Sequence, residues 1–191
     1  MKMKLTMLGL LLFAASAFGQ HADAVWFDDG DPEVLLGAYF NPEGTDTVME
    51  IEADTFLVYL VMWNAGLRDE GEVAALEYMV GVPEGLKLVK DVLPEYSHLC
   101  LGTVETGFSQ TLEKKPGDGL LLNTLHFRRT GEVADDARIQ ILPHPETELL
   151  QWVAMPGGPN TVRKFMMKGQ DAVVNPRLTK AIESWKPVKS R

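Results

Sequence analysis

The sequence predicts an all-β sandwich, and three observations carry that prediction. Short runs rich in Val, Ile, Leu and aromatics recur along the chain, segments containing Pro or Gly separate them, and no helical period runs through the body. With 191 residues, 46% of them hydrophobic and 24% charged, the chain supports one domain with a real core.

The elements follow in order. Strands are expected over Val34–Phe40, Thr47–Ala53, Phe56–Asn64, Val73–Val82, Leu86–Leu93, His98–Glu105, Leu120–Arg129, Ala137–Leu142, Leu149–Met155 and Val162–Lys168. Between them lie NPEG, NAG, VPEG, KKPGDG, LPHPE and MPGGPN, each with a Pro or Gly able to set a turn. About nine to ten short strands at this spacing point to a sandwich or barrel. In VAALEYMVGVPEGLKLVKDVL, Leu76, Tyr78, Val80 and Val82 share one face, and Ala75, Glu77 and Met79 the other. That alternation predicts an inward Tyr78 and an outward Glu77. After the turn, Leu86, Leu88 and the pair Val92/Leu93 resume the apolar side, with Lys87 and Lys90 outward. FLVYLVMWN is apolar in both parities: Phe56, Val58, Leu60 and Met62 against Leu57, Tyr59, Val61 and Trp63. Such a strand is central, and its outer face needs cover from the same chain, a partner protein or a ligand. Tyr59 and Trp63 are therefore candidate ligand-facing aromatics. In LLLNTLHF, Leu121, Asn123, Leu125 and Phe127 share parity, which turns Asn123 inward.

The two ends depart from this pattern. Residues 1–19 combine Lys2 and Lys4, an apolar run from Leu5 to Phe13 and small residues thereafter, the pattern of a secretory signal cleaved after Ala17 or, by preference, after Gly19. The apolar run is short for a membrane span. Residues 20–176 form the sandwich domain. Residues 177–191 form a basic tail, either a short helix carrying Leu178, Ile182 and Trp185 on one face or a disordered end. The whole chain carries −9; removing +2 for Lys2 and Lys4 and +4 for the tail leaves −15 on residues 20–176. So acidic a body repels nucleic acid and suits a secreted protein, extracellular or periplasmic. The single Cys100 has no partner within the chain for a disulfide.

The series LLGAYFNPEGT, FLVYLVMWN, ALEYMVGVPEGLKLV, LLLNTLHF and ARIQIL, spanning about residues 33–175, resembles secreted bacterial β-sandwiches of the cohesin-like, carbohydrate-binding-module-like kind, with an Ig-like layout. Those domains have an early L-x-V-x-N strand, then x-E-F-x-L-x-x-P-x-G-L, then L-A-x-L-x-F. Here Tyr78 stands for the aromatic after Glu77, Leu86 closes the P-x-G-L turn, and Leu125 and Phe127 fill the late strand. The resemblance implies a fold and a binding role, since cohesins bind dockerin domains. It carries over no binding residues, because the shared motifs are core patterning and turns.

Candidate chemistry is sparse. In DDGDPE, Asp28, Asp29 and Asp31 could ligate calcium, but they lack EF-hand spacing and equally suit a solvated acidic linker. His98 and Cys100 are expected to share a strand face, and a metal there needs further ligands from His126 or His144. A Cys100–His126 pair, or Ser97 or Ser109 as nucleophile, lacks any Gly-framed elbow. The acid pairs Glu132/Asp135 and Glu146/Glu148 imitate glycosidase carboxylates but need a cleft. Trp26, Trp63, Trp152 and Trp185 raise sugar stacking, although buried aromatics are the commoner case. The expectation is a non-enzymatic binding or adhesion-type module without an obligatory cofactor. Its partner is a protein, or a glycan if it is a carbohydrate-binding module; a small hydrolase is the remaining reading.

Overall fold

The computed structural model describes residues 34–63, 73–115, 119–154 and 163–177, and these are almost wholly strand and turn. Thirteen strands are formed: β1 Leu35–Tyr39, β2 Val48–Met49, β3 Thr55–Trp63, β4 Val73–Gly81, β5 Leu86–Val92, β6 Ser97–Thr103, β7 Gly107–Lys115, β8 Leu120–Arg129, β9 Ala137–Leu142, β10 Gln151–Ala154, β11 Arg163–Met166, β12 Lys168–Gln170 and β13 Ala172–Val174. A five-stranded sheet has the order β12-β1-β3-β8-β5. The eight-stranded sheet contains the path β11-β10-β4-β9-β13-β2, with β7 beside β4 and β6 beside β7. The chain is an all-β sandwich of two sheets. The signal segment, Asp28, Asp29, Asp31, Trp26 and nearly all of the basic tail lie outside the described residues.

The two sheets bury one continuous apolar core. The smaller sheet contributes Leu36, Val58, Leu60, Met62, Leu125 and Phe127, and the larger contributes Leu76, Tyr78, Val80, Phe108, Ile139, Ile141 and Trp152. Strict alternation produces this: in β3, Val58, Leu60 and Met62 are buried inward, as the period of two requires. Phe56 stacks on Phe127 at 5.7 Å across β3 and β8, and Tyr78 on Phe108 at 5.3 Å across β4 and β7. The Pro-Glu-Gly turn joins β4 to β5 through Gly85 at φ 85°, in the left-handed region. The Gly85 carbonyl accepts Thr130 N–H at 2.8 Å, which docks this turn on the β8–β9 connection.

Three strands go beyond the sequence expectation. β7 escapes it because its inward row reads Phe108, Gln110, Leu112, so a buried glutamine interrupts the apolar alternation. β12 and β13 are three residues each, too short for any period to register. Register irregularities correct three more expectations. Between Leu60 and Val61 of β3, pairing jumps from Asn123 to Leu121, so β8 carries a bulge at Leu122. Leu122 is consequently buried and Leu121 only half-buried, while Asn123 does face inward. A bulge at Val89 in β5 sends Lys87 and Lys90 outward together, and it also turns Val92 out of the core. A shift between Ser97 and Leu99 in β6 separates exposed His98 from inward Cys100, so the two do not share a face.

Candidate functional site

Among the described residues, the sites that need convergent chemistry are not assembled. Cys100 pairs with Gln110 on the inward side of β6, whereas His126 lies on the outer side of β8 in the other sheet. Burial, aided by the negative charge of Asp91, pushes the Cys100 thiol up to about 11, the reverse of an activated nucleophile. Ser97 Oγ accepts Gln110 Nε2 at 3.2 Å, and Ser109 faces outward with Glu77. His144 is buried in the β9–β10 connection, where its Nδ1 accepts Glu146 N–H at 3.3 Å. The His144 ring packs so tightly on Gly107 that a methyl there would lie 2.6 Å from Cδ2. Among the described residues no group of three or more His, Cys, Asp or Glu is placed to hold a metal. Glu146 and Glu148 are exposed. Glu132 and Asp135 line an open depression of about 520 Å³ with Arg129, Val133, Asn175 and Arg177. Arg129 pairs with Asp54 at 3.1 Å and Arg177 with Asp136 at 2.9 Å, so both cations are engaged there.

The buried polar groups serve the scaffold. Gln110 accepts the Tyr78 hydroxyl at 3.2 Å and donates to the Leu122 carbonyl at 3.0 Å. The Tyr96 hydroxyl donates to the neighbouring Leu121 carbonyl. Two main-chain acceptors at the β8 bulge are thus satisfied by side chains reaching from the opposite side of the core. Burial raises the pKa of Tyr78, and that of Tyr96 likewise. Asn123 sits near enough to the Tyr78 hydroxyl to oppose that rise, yet neither of its amide atoms attains hydrogen-bond geometry. Glu77 corrects its expected exposure: it is buried, and its Oε2 accepts Gln151 Nε2 at 2.6 Å directly across β4 and β10.

What remains is a surface. On the outer face of the smaller sheet, cross-strand register sets residues in rows. One row runs Tyr39, Tyr59, Thr124, Val92. Leu57 and His126 lie beside it with Lys90, followed by Thr55, Arg128 and Lys87; on the other side come Gly37, Val61 and Leu121, then Leu35 and Trp63. The Trp63 end is covered by the chain itself. The NPEGT loop is tied by Asn41, whose Oδ1 accepts Thr45 N–H at 3.0 Å and Asp46 N–H at 2.9 Å. Its Gly44 lies against the indole and Val61: a methyl on Gly44 would fall 2.9 Å from Trp63 Cζ2 and 3.1 Å from Val61 Cγ1. Gly119 abuts the indole as well, at 3.3 Å from Cζ3 by the same measure. Burial raises the Tyr39 pKa against a hydrogen bond from Trp63, and the Tyr39 hydroxyl donates to Gln170 Oε1 at 3.3 Å. Tyr59 and Trp63 are thus on one half-buried face, Tyr59 in its middle and Trp63 at its closed end. Trp152 is wholly core. Sequence reasoning missed the β5 edge of this face, where Val89 and Val92 are exposed; Leu99 on β6 is exposed too, but on the outer side of the other sheet, opposite Thr111. β5 pairs only with β8 and β6 only with β7, so both strands are edges.

No family model matches the chain, and no curated protein matches it. Solved structures do share its architecture. The seventh ScaB type I cohesin of Pseudobacteroides cellulosolvens is similar at a TM-score of 0.50 and 9% identity, over 87% of this chain and 99% of that one. A non-cellulosomal cohesin of Archaeoglobus fulgidus aligns at 0.49 and 10%, over 80% and 99%. The third ScaC cohesin of Acetivibrio cellulolyticus, in complex with a ScaB dockerin, aligns at 0.47 and 11%, over 74% and 98%. At such identities the likeness is one of fold, and the fold of this chain is cohesin-like.

Proposed function

We propose that the chain is a non-enzymatic, secreted β-sandwich module that binds a protein partner at the cell envelope or outside the cell. The observation that carries this reading is exposed Val92 on the edge strand β5, which continues the half-buried aromatic and aliphatic row of Tyr59 and Leu57 on the outer face of the smaller sheet. An apolar row left open on the outer face of an otherwise well-packed sandwich marks a binding surface. The scattered acids and the protonated thiol support a non-catalytic role. Domain limits stay as read from the sequence: residues 1–19 leave as signal, 20–176 fold, and 177–191 form the tail. Calcium at Asp28, Asp29 and Asp31 remains part of this proposal. Among the described residues no helix is long and apolar enough to cross a membrane.

The test is a pull-down from the native envelope and medium with the mature chain, with and without calcium. A specifically retained protein, lost on Val92→Glu, supports the module. Retention of nothing in either condition refutes it. The carbohydrate-binding alternative draws on Tyr59, and Trp fluorescence during polysaccharide titration addresses it; an unchanged spectrum removes it.

A further inference from the structure

We infer that the outer face of β5 and β8 is built to receive an acidic segment of a protein partner, an inference that rests on the binding-module reading above. Lys87 stands directly opposite Arg128, and Lys90 directly opposite His126. The like charges of Lys87 and Arg128, set across the ladder, repel and destabilise the sheet. The other basic side chains described are engaged: Arg129 with Asp54, Arg138 with Asp171, Arg177 with Asp136, and Lys168 also has a polar partner. Lys87, Lys90 and Arg128 form no ion pair among the described residues, and they occupy one face of two neighbouring strands. Lys87 acts through space on exposed Glu105, a smaller influence on that carboxyl than its hydrogen bond from Thr103. In a chain of net charge −9, three cations so placed, with no ion pair among the described residues, are a local reversal of sign.

Edge protection does not account for them. Lysines and a bulge on an edge strand such as β5 do discourage sheet-to-sheet association. Arg128 and His126, however, belong to β8, which is paired on both sides by β3 and β5 and has no edge to protect. The cations adjoin the row of Tyr59, Thr124 and Val92, with Leu57 between, so charge and apolar contact are continuous on one surface. Aliphatic Leu57 and Val92 around a single tyrosine suit side chains of a peptide better than the coplanar rings a sugar needs. The occupant is therefore a protein segment that alternates carboxylates with aliphatic side chains, its acids over Lys87, Lys90 and Arg128.

The full mature chain is titrated at low salt with a twelve-residue peptide alternating Glu and Val, with its Gln–Val counterpart, and with polygalacturonate. Binding of the Glu–Val peptide, weakened about tenfold in Lys87→Gln/Lys90→Gln/Arg128→Gln, is expected from the loss of three exposed charge contacts. It should also weaken on raising salt to physiological strength. The triple variant should melt no lower than the wild type, since it relieves the Lys87–Arg128 like-charge pair, and this checks its fold. Equal binding by both proteins, no binding of the Glu–Val peptide, or preference for polygalacturonate overturns the inference. Pull-downs with both proteins separate it from the broader reading: identical captures remove only this face, whereas no capture by the wild type removes the module itself.

Discussion

At the scale of single residues, Tyr78 and Glu77 show how far alternation can be trusted. Tyr78 is fully buried against Phe108, and Tyr78→Ala should cost about 3–5 kcal/mol in chemical denaturation, the range for losing a large core aromatic. Parity alone would make Glu77→Ala nearly silent. Because its carboxylate accepts the buried Gln151 amide, that substitution should instead cost about 1–3 kcal/mol, the penalty of a buried donor left unpaired. Asn123 behaves oppositely. Its amide is buried without a partner, so Asn123→Leu, of similar size, should be neutral or stabilising by about 1 kcal/mol in the same assay. A clear loss would mean that the amide holds the Tyr78 hydroxyl in place.

At the scale of elements, regular strands were legible in the sequence and their irregularities were not. β3, β4 and β9 announce themselves because successive inward positions are apolar. The bulges at Val89, His98 and Leu122 leave no such mark, since a bulge is a relation between two strands and not a property of one. The candidate surface suffers most from this. Its aromatics Tyr59 and Trp63 could be read from the doubly apolar β3. Outward Val92 and the juxtaposed Lys87 and Arg128 depend on a register that only pairing sets. The β8 bulge gives a direct test. Tyr96 donates to the Leu121 carbonyl, so Tyr96→Phe removes one oxygen and strands a main-chain acceptor. The expected loss is about 1–3 kcal/mol by denaturant titration, with faster amide exchange confined to β8 and its neighbours.

At the scale of the whole molecule, stability should fail on the alkaline side. Cys100 is raised to about 11 from an ordinary 9.0, and burial raises Tyr78 as well. A group kept protonated by the fold contributes stability that is complete below its unfolded pKa and lost as pH climbs to the folded value. The melting temperature should therefore decline through about pH 9–11, and Cys100→Ala should soften the first part of that decline. The pairing of the two ends has a different consequence. β1 lies parallel to β12, and β2 parallel to β13, so the first described strands close against the last ones in both sheets. Bringing such distant segments together costs loop-closure entropy before any contact repays it, which places the chain among slow, high-contact-order folders, on a scale of milliseconds to seconds. A chain still emerging, from a ribosome or through an export channel, has no partner for β2 until residue 173 arrives. Refolding of the mature chain followed by stopped-flow fluorescence should be slow. Pulse-labelled exchange should find β12 and β13 protected last, and their early protection would assign the nucleus to the termini instead.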